Sequence, residues 1–488
     1  MRTLSLAPLA LLAACASTVN VGDRGDSAPP DTDTVDTDTV DTDPVDTDTV
    51  DTDTVDTDSG GTGDTDTGKT GDTATPGGFA HLPVFIIDSK AAIGDTEKSP
   101  GFLRVVEDHD GTLTDLDAAP TAFLTAIGIE VHGSSSTSYP KLGYKFECVD
   151  AANEDQDCAL VGLPEGSDWV LHAPYSDKTF MRNALAYSLG RDAAEASGRW
   201  EPRSQFVELI LDGDYRGVYL LVERVARESD RLDIPRTTLD DGTVAGGFIV
   251  KADGHRSAGF DTAIGTQIDW VSPKAGAVTA AEAAYIANWF DTVEAAFTAD
   301  TFADPEIGYA AWIDVDGWVD HWLLNELTHN IDAYRLSAYL WADGPPGTTP
   351  LHAGPLWDFD RAWGNCNYCD AWNTYGYIYD DLDRCGYAYQ YPMWWERLRE
   401  DPVYEARLRT RWDELRADLL SDTALHDRIT EMKAELAEAA VRDDARWGTI
   451  GTYVDPNYYV GGSWDEEIDW LEEWALDRAA WLDAYLPR

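Results

Sequence analysis

Cations are what this sequence lacks. Across 488 residues it carries 36 Lys and Arg against 90 Asp and Glu, a formal charge of −54. A chain so acidic is repelled by phosphate arrays, which argues against nonspecific binding to DNA, RNA or anionic lipid. No nucleic-acid partner is expected, and any phosphate chemistry must rest on a few local cations. Long apolar runs are missing too: no internal stretch approaches the ~20 residues that a bilayer-spanning helix needs. Aromatic residues abound instead. With 19 Trp and 22 Tyr, most of the chain is expected to fold around aromatic-rich packing, since disordered segments are poor in such residues. The length allows two or three domains, or one large domain with a tail.

The first 17 residues read as an export signal, with Arg2 as the charged start and Leu4 to Ala14 as a short apolar core. The stretch closes on Leu12-Ala-Ala-Cys15, an order that resembles a bacterial lipobox. By that resemblance Cys15 becomes the lipidated first residue of an exported protein, anchored to a membrane at the cell envelope or surface without a transmembrane helix. Ordinary secretion with cleavage near Ala14 is the alternative. Residues 18–78 follow, with Val-Asp-Thr-Asp-Thr repeating from Asp31 to Ser59 and Gly, Thr and Asp continuing to Gly78. Such a segment has too little apolar surface to offset the cost of ordering, and its charges repel one another, so a disordered, extended stalk is expected. Calcium binding by its aspartates and O-glycosylation of its threonines rank below a plain spacer.

From Leu82 the pattern changes. Runs rich in β-branched and apolar residues at Leu82–Asp88, Gly101–Val106 and Ile127–His132 read as strands. A Gly-Ser-Ser-Ser turn at 133–136 then leads into a strand over Leu142–Cys148. A small-residue turn lets backbone N–H groups approach a phosphate, so Ser134 and Ser135, with Lys141 and Lys145 supplying charge, are candidate phosphate contacts; an ordinary hairpin with solvent-facing lysines is the plainer reading. Asp177 is placed as the N-cap of a helix running to Ala186, and Arg182 as a structural partner of a carboxylate. Phe206–Leu211, the turn Asp212-Gly213 and Gly217–Val225 form the clearest hairpin, with Glu223 on its second strand. Gly246–Ala252 reads as a further strand, and Thr279–Phe297 and Asp314–His329 have helical apolar spacing. In an exported chain Cys148, Cys158, Cys366, Cys369 and Cys385 favour disulfides over zinc, and with Cys15 lipidated one of the five stays unpaired.

The most informative stretch is Gly354-Pro-Leu-Trp-Asp-Phe-Asp-Arg-Ala-Trp-Gly-Asn365. Asp358 and Asp360 flank one aromatic residue after an apolar run, so a strand ending there presents both carboxylates toward one face. Two hard oxygen ligands suit Mg²⁺ or Mn²⁺ carrying a phosphate, and Asn365 can add a neutral oxygen. The plainer reading is a charged strand end whose aspartates cap a turn. Upstream, an amphipathic helix ends near Asn330, Asp332 follows in a loop, and a strand-like Leu336–Trp341 comes next. A loop aspartate, a hairpin and a second aspartate at its far end is the order in which protein kinases place the residue that orients the attacking hydroxyl and the residue that holds metal.

Over residues 82–366 the chain resembles the CotH family of spore-coat and cell-surface proteins, regarded as atypical kinases. The pieces are His132-Gly-Ser-Ser-Ser with Tyr139-Pro-Lys-Leu-Gly-Tyr-Lys145, Asp168-Trp-Val-Leu with Asp177-Lys-Thr-Phe-Met-Arg-Asn183, the Phe206–Glu223 hairpin, Gly246-Gly-Phe-Ile-Val-Lys251, and the two aspartate stretches. The resemblance implies an α+β fold, with an atypical protein-kinase-like core of mixed or antiparallel sheet plus helices over 79–390 and a helical section over 391–488 packed on it. It also implies ATP as phosphoryl donor, Mg²⁺ or Mn²⁺ as metal, and a protein substrate at the cell surface. In that reading Asp332 and Lys141 are catalytic, Ser134, Ser135, Lys141, Lys145 and Glu223 contact the nucleotide, and Asp358, Asp360 and Asn365 hold metal. The family's acidic residue at Glu223 is a partner for Lys141 or for the metal. Where kinases place Asn five residues after the catalytic Asp, this chain has Ser337. A non-catalytic adhesin or assembly protein that keeps the fold is the competing reading, and a metal-dependent hydrolase a third, which lacks a His-rich ligand set.

Overall fold

The computed structural model describes residues 82–107, 116, 120–254, 258–387 and 392–487. The export signal, Cys15 and the repeat segment lie outside the described residues. The fold is α+β. Seven strands, β1 (Val84–Ser89), β2 (Ser99–Val106), β3 (Phe123–His132), β4 (Gly143–Val149), β5 (Asp168–His172), β6 (Ser204–Leu211) and β7 (Asp214–Glu223), close into a barrel in the order β1-β2-β3-β4-β5-β7-β6. All neighbours are antiparallel except β1 and β6, whose parallel pairing seals it.

Alternation builds the barrel interior. Phe85 and Ile87, Ile127 and Ile129, Tyr144 and Phe146, and Leu209 and Leu211 each lie two apart on their strands and share one buried cluster. Residues that alternate with this set, among them Glu130 on β3, Lys145 on β4 and Val170 on β5, lie outside the cluster. The sequence foretold these strands except β5, but not closure, because β-propensity marks a strand without naming its partner.

Beyond the barrel, β8 (Phe248–Ala252), β9 (Gly259–Asp261), β10 (Gln267–Ser272), β11 (Ala338–Ala342) and β12 (His352–Ala353) form a second sheet in the order β12-β11-β8-β10-β9. α1 (Arg182–Ala194) separates β5 from β6. α2 (Ala280–Thr298) opens on a complete capping box between Thr279 and Glu282. α3 (Val315–Thr328) carries Trp318, Trp322 and Leu323 into the largest core. Asp177 does not cap α1. Its carboxylate instead accepts from the Thr179 hydroxyl and from the backbone N–H and Nη1 of Arg182, and the helix starts four residues later than expected, with Met181 at the N-cap.

The chain ends in α4 (Ile378–Arg384), α5 (Trp394–Arg399), α6 (Pro402–Arg416), α7 (Asp422–Trp447) and α8 (Trp464–Tyr485). Ser421 and Ser463 cap the last two, and Gly448, at φ +62°, ends α7 in the left-handed turn that glycine adopts without strain. These helices are fastened to the rest by buried ion pairs. Arg442 forms two hydrogen bonds to Glu208 on β6, Asp443 pairs with Lys141, Arg478 pairs with Glu326 on α3, and Glu467 lies 3.5 Å from Lys178. Cys148–Cys158 and Cys369–Cys385 are disulfides, and Cys366 is free and buried. Among the described residues no helix is long and apolar enough to cross a membrane.

Candidate functional site

α3 ends on His329, whose backbone is left-handed at φ +47°. A residue with a Cβ adopts that turn at a cost, and here both ring nitrogens are engaged, Nε2 with Asp381 at 2.7 Å and Nδ1 with the Asn373 carbonyl at 2.9 Å. The loop that follows is thereby fixed. Asn330 Oδ1 accepts from the Asp332 N–H, and its Nδ2 donates to the Asp358 carbonyl at 3.3 Å. Asp332 is nearly buried, and its two oxygens differ. Oδ1 accepts from Arg335 Nη2 at 2.6 Å, whereas Oδ2 has Arg361 Nη1 at 3.5 Å.

Asp358 and Asp360 are not at a strand end. β12 stops at Ala353, the chain turns at Gly354 (φ +103°) into a cis Pro355, and the aspartates follow in a loop. Asp358 itself has φ +69°. This uncommon backbone is held from several sides: its N–H donates to the Tyr187 hydroxyl, and the Phe359 N–H donates to Asn183 Oδ1 at 2.7 Å, both acceptors lying on α1. Upstream, Glu201 accepts from the Leu356 N–H at 2.7 Å, and burial raises its carboxyl to about 7. Strained backbone fixed by surrounding bonds is a feature of functional sites.

The loop brings the two carboxyls close enough that each perturbs the other. Burial, then Asp360 and Asp332, push Asp358 up to about 7, against the pull of His172 and Arg361. Burial likewise raises Asp360, opposed by Arg361. Such proximity is unfavourable for two anions and is relieved by a proton or a cation. Among the described residues no group of three His, Cys, Asp or Glu converges as a metal cage. Two carboxylates fit Mg²⁺, which keeps waters and substrate oxygens in its shell, better than they fit zinc.

Asn365 is engaged elsewhere. Its Nδ2 donates to the carbonyls of Asp360 and Ser176, and its Oδ1 accepts from Asn457. It shapes the loop around Asp360.

Above the aspartates, Gly133 (φ +124°) turns the chain out of β3; a Cβ there would lie 2.1 Å from Ser136 Oγ. Ser134 and Ser135 are exposed in this loop. The Ser134 carbonyl accepts from the Thr137 hydroxyl, Ser135 Oγ accepts from Arg361 Nη2 at 2.9 Å, and the Tyr139 hydroxyl donates to the Asp455 carbonyl. Lys145, on the outer face of β4, lies 3.3 Å from Glu130. It contributes to a group of cations with Arg224 and Lys251 around His132, whose imidazole is lowered to about 3 by burial first and then by Lys145, Arg224, His172 and Lys251.

Two candidates lie outside this cluster. Lys141 is fully buried, its amine 2.5 Å from Asp443 and over the rings of Phe180 and Tyr219. Burial moves both partners toward neutrality, Lys141 down and Asp443 up, against their mutual attraction. Glu223 does not meet Lys141: its carboxylate accepts from the N–H and Nη1 of Arg203. Arg361, Arg335, His172, Asn183 and Tyr187 were not anticipated. Arg361 had a local signal, a cation adjoining the D-x-D triplet.

The family model for CotH kinase protein matches residues 129–482. The match takes in the C-terminal helices as well as the aspartate loops. No curated protein matches the chain.

Proposed function

The chain belongs to the CotH family, and from that premise we propose that it is an atypical protein kinase that transfers the terminal phosphoryl group of ATP to Ser or Thr hydroxyls of a protein at the cell surface. One observation carries the reading: Asp332, Asp358 and Asp360 converge beneath a serine loop, with more negative charge than their fixed cations balance. Asp358 and Asp360 hold the metal, which when bound neutralises charge on the phosphates. Asp332 orients the acceptor hydroxyl and takes its proton on Oδ2 as the hydroxyl oxygen bonds to phosphorus. The bond from phosphorus to the bridging oxygen breaks, and ADP departs with that electron pair. Catalysis of this kind is positioning plus electrostatic stabilisation. Lys145, with a partly exposed side chain, is the better lysine for phosphate contact, and Lys141 serves structure. In this reading residues 1–17 direct export, Cys15 carries the lipid anchor, 18–78 space the enzyme from the membrane, and the barrel, second sheet and helices act as one kinase-like body.

The competing reading, a non-catalytic surface or assembly protein, draws on the sealed Lys141–Asp443 pair, which withholds from the site a lysine the resemblance placed there. Incubation with γ-labelled ATP and Mg²⁺ or Mn²⁺ separates them. Label on the protein or an added substrate, lost in Asp332→Asn and Asp358→Asn, is the kinase result. No transfer and no metal-dependent nucleotide binding would leave the scaffold.

A further inference from the structure

Arg361 follows Asp360 directly, yet its guanidinium reaches across the site. Nη2 donates to Ser135 Oγ at 2.9 Å, Nη1 donates to the Tyr368 hydroxyl at 3.1 Å, and Nη1 stands 3.5 Å from Asp332 Oδ2. One side chain thus links the serine loop, the paired aspartates and the loop aspartate. It remains 23% exposed, whereas the Lys141 side chain has no exposure at all. Against the cost of burial, Asp332, Tyr368 and Asp360 hold the guanidinium firmly cationic.

The two oxygens of Asp332 point to what this cation does. With Oδ1 bound by Arg335 at 2.6 Å, the oxygen left for an acceptor hydroxyl is Oδ2. A hydroxyl about 3 Å from Oδ2 and about 3–3.5 Å from the phosphorus it attacks places that phosphorus roughly 5–6 Å from Oδ2. A guanidinium with its nearest nitrogen 3.5 Å from Oδ2 reaches the phosphoryl oxygens by a change of rotamer. Its contact to Oδ2 is long for a charged hydrogen bond, and its planar fork matches phosphate better than a lone carboxylate oxygen.

We infer that Arg361 reads the terminal phosphate: it exchanges Asp332 Oδ2 for the γ-phosphoryl of a bound nucleoside triphosphate, so the site favours triphosphate over diphosphate and Oδ2 is uncovered for the acceptor hydroxyl. The inference rests on the phosphotransfer reading. It makes the base available only when there is a phosphoryl group to transfer. Ser135, which accepts from Nη2 before the exchange, couples the serine loop to the position of the guanidinium.

The test is calorimetric titration of the full chain with MgATP and MgADP, for the wild type and Arg361→Gln. The wild type is expected to bind ATP more tightly, and the variant to lose about ten-fold or more in ATP affinity while its ADP affinity stays within about two-fold. Arg361→Lys should recover part of the ATP preference. Equal losses for both nucleotides, or none, would overturn the assignment. A measurement on the wild type alone guards against a poorly folded variant: phenylglyoxal labelling of Arg361, followed by peptide mass spectrometry, should be slowed more by MgATP than by MgADP, and equal protection counts against the role. Wild-type protein that binds neither nucleotide would overturn the phosphotransfer reading itself, and this inference with it.

Discussion

Carboxylates crowd two regions of this molecule, and they are treated in opposite ways. Along the seam where the C-terminal helices meet the rest of the fold each acid has its own cation: Asp443 has Lys141 and Glu208 has Arg442 at the barrel, and Glu326 on α3 has Arg478. At the site Asp332, Asp358 and Asp360 crowd together with Arg335 and Arg361, and burial and mutual repulsion push Asp358 up to about 7. The seam is neutralised from within, so it serves cohesion. The site is left in excess, which is what the proposed metal would offset. The difference explains how a chain of charge −54 keeps anionic chemistry local: its fixed cations are spent mainly on structure.

The contrast is broken most severely at the seam. Lys141→Met leaves Asp443 buried without its partner and should cost about 3–5 kcal/mol, read as a lower denaturation midpoint. Adding Asp443→Asn sharpens the point. The amide can still accept from the Val218 N–H, as Asp443 does at 2.7 Å, and more than half of the lost stability should return; a double variant as weak as the single one would show that the pair does more than neutralise charge.

At the site the sign reverses. A carboxyl raised from 3.8 to about 7 by folding contributes stability that is complete below pH 4 and is lost as pH rises through 7. Asp358→Asn, with a residue that tolerates the left-handed backbone, should therefore melt higher than wild type at pH 8, by about 1–2 kcal/mol, with the difference shrinking as pH falls and gone below about pH 4. It should also lose metal-dependent nucleotide binding. Glu201→Gln is the smallest effect. Its carboxyl is likewise raised to about 7 by burial, so the neutral isostere should gain up to about 1 kcal/mol above pH 7 and nothing below pH 5, with nucleotide affinity unchanged.

Local structure was legible in the sequence and long-range partnership was not. Strand runs such as Ile127–His132 and the helix ending near Asn330 were marked by their periodicity, and the D-x-D triplet stood out by residue type. The convergence of Asp332 with Asp358 and Asp360 followed from the resemblance. The partner of Lys141 did not, because Asp443 lies 302 residues away on a helix whose sequence shows only one more acid among many. Nor did the backbone of Asp358: its φ of +69° depends on Tyr187 and Asn183 from another helix. Arg361 is the instructive miss. Its proximity to Asp360 was visible, but its reach to Ser135 required the fold.

The seam also sets a timetable. Ribosomes deliver the seven barrel strands by residue 223, yet the cations and anions that neutralise Glu208 and Lys141 arrive only at 442 and 443. Roughly 220 residues of further synthesis, on the order of 10–40 s, separate the barrel from its counterions. Until then Glu208 and Lys141 lack these partners. A chain truncated before α7 would keep all seven strands and leave the charges of Glu208 and Lys141 without Arg442 and Asp443.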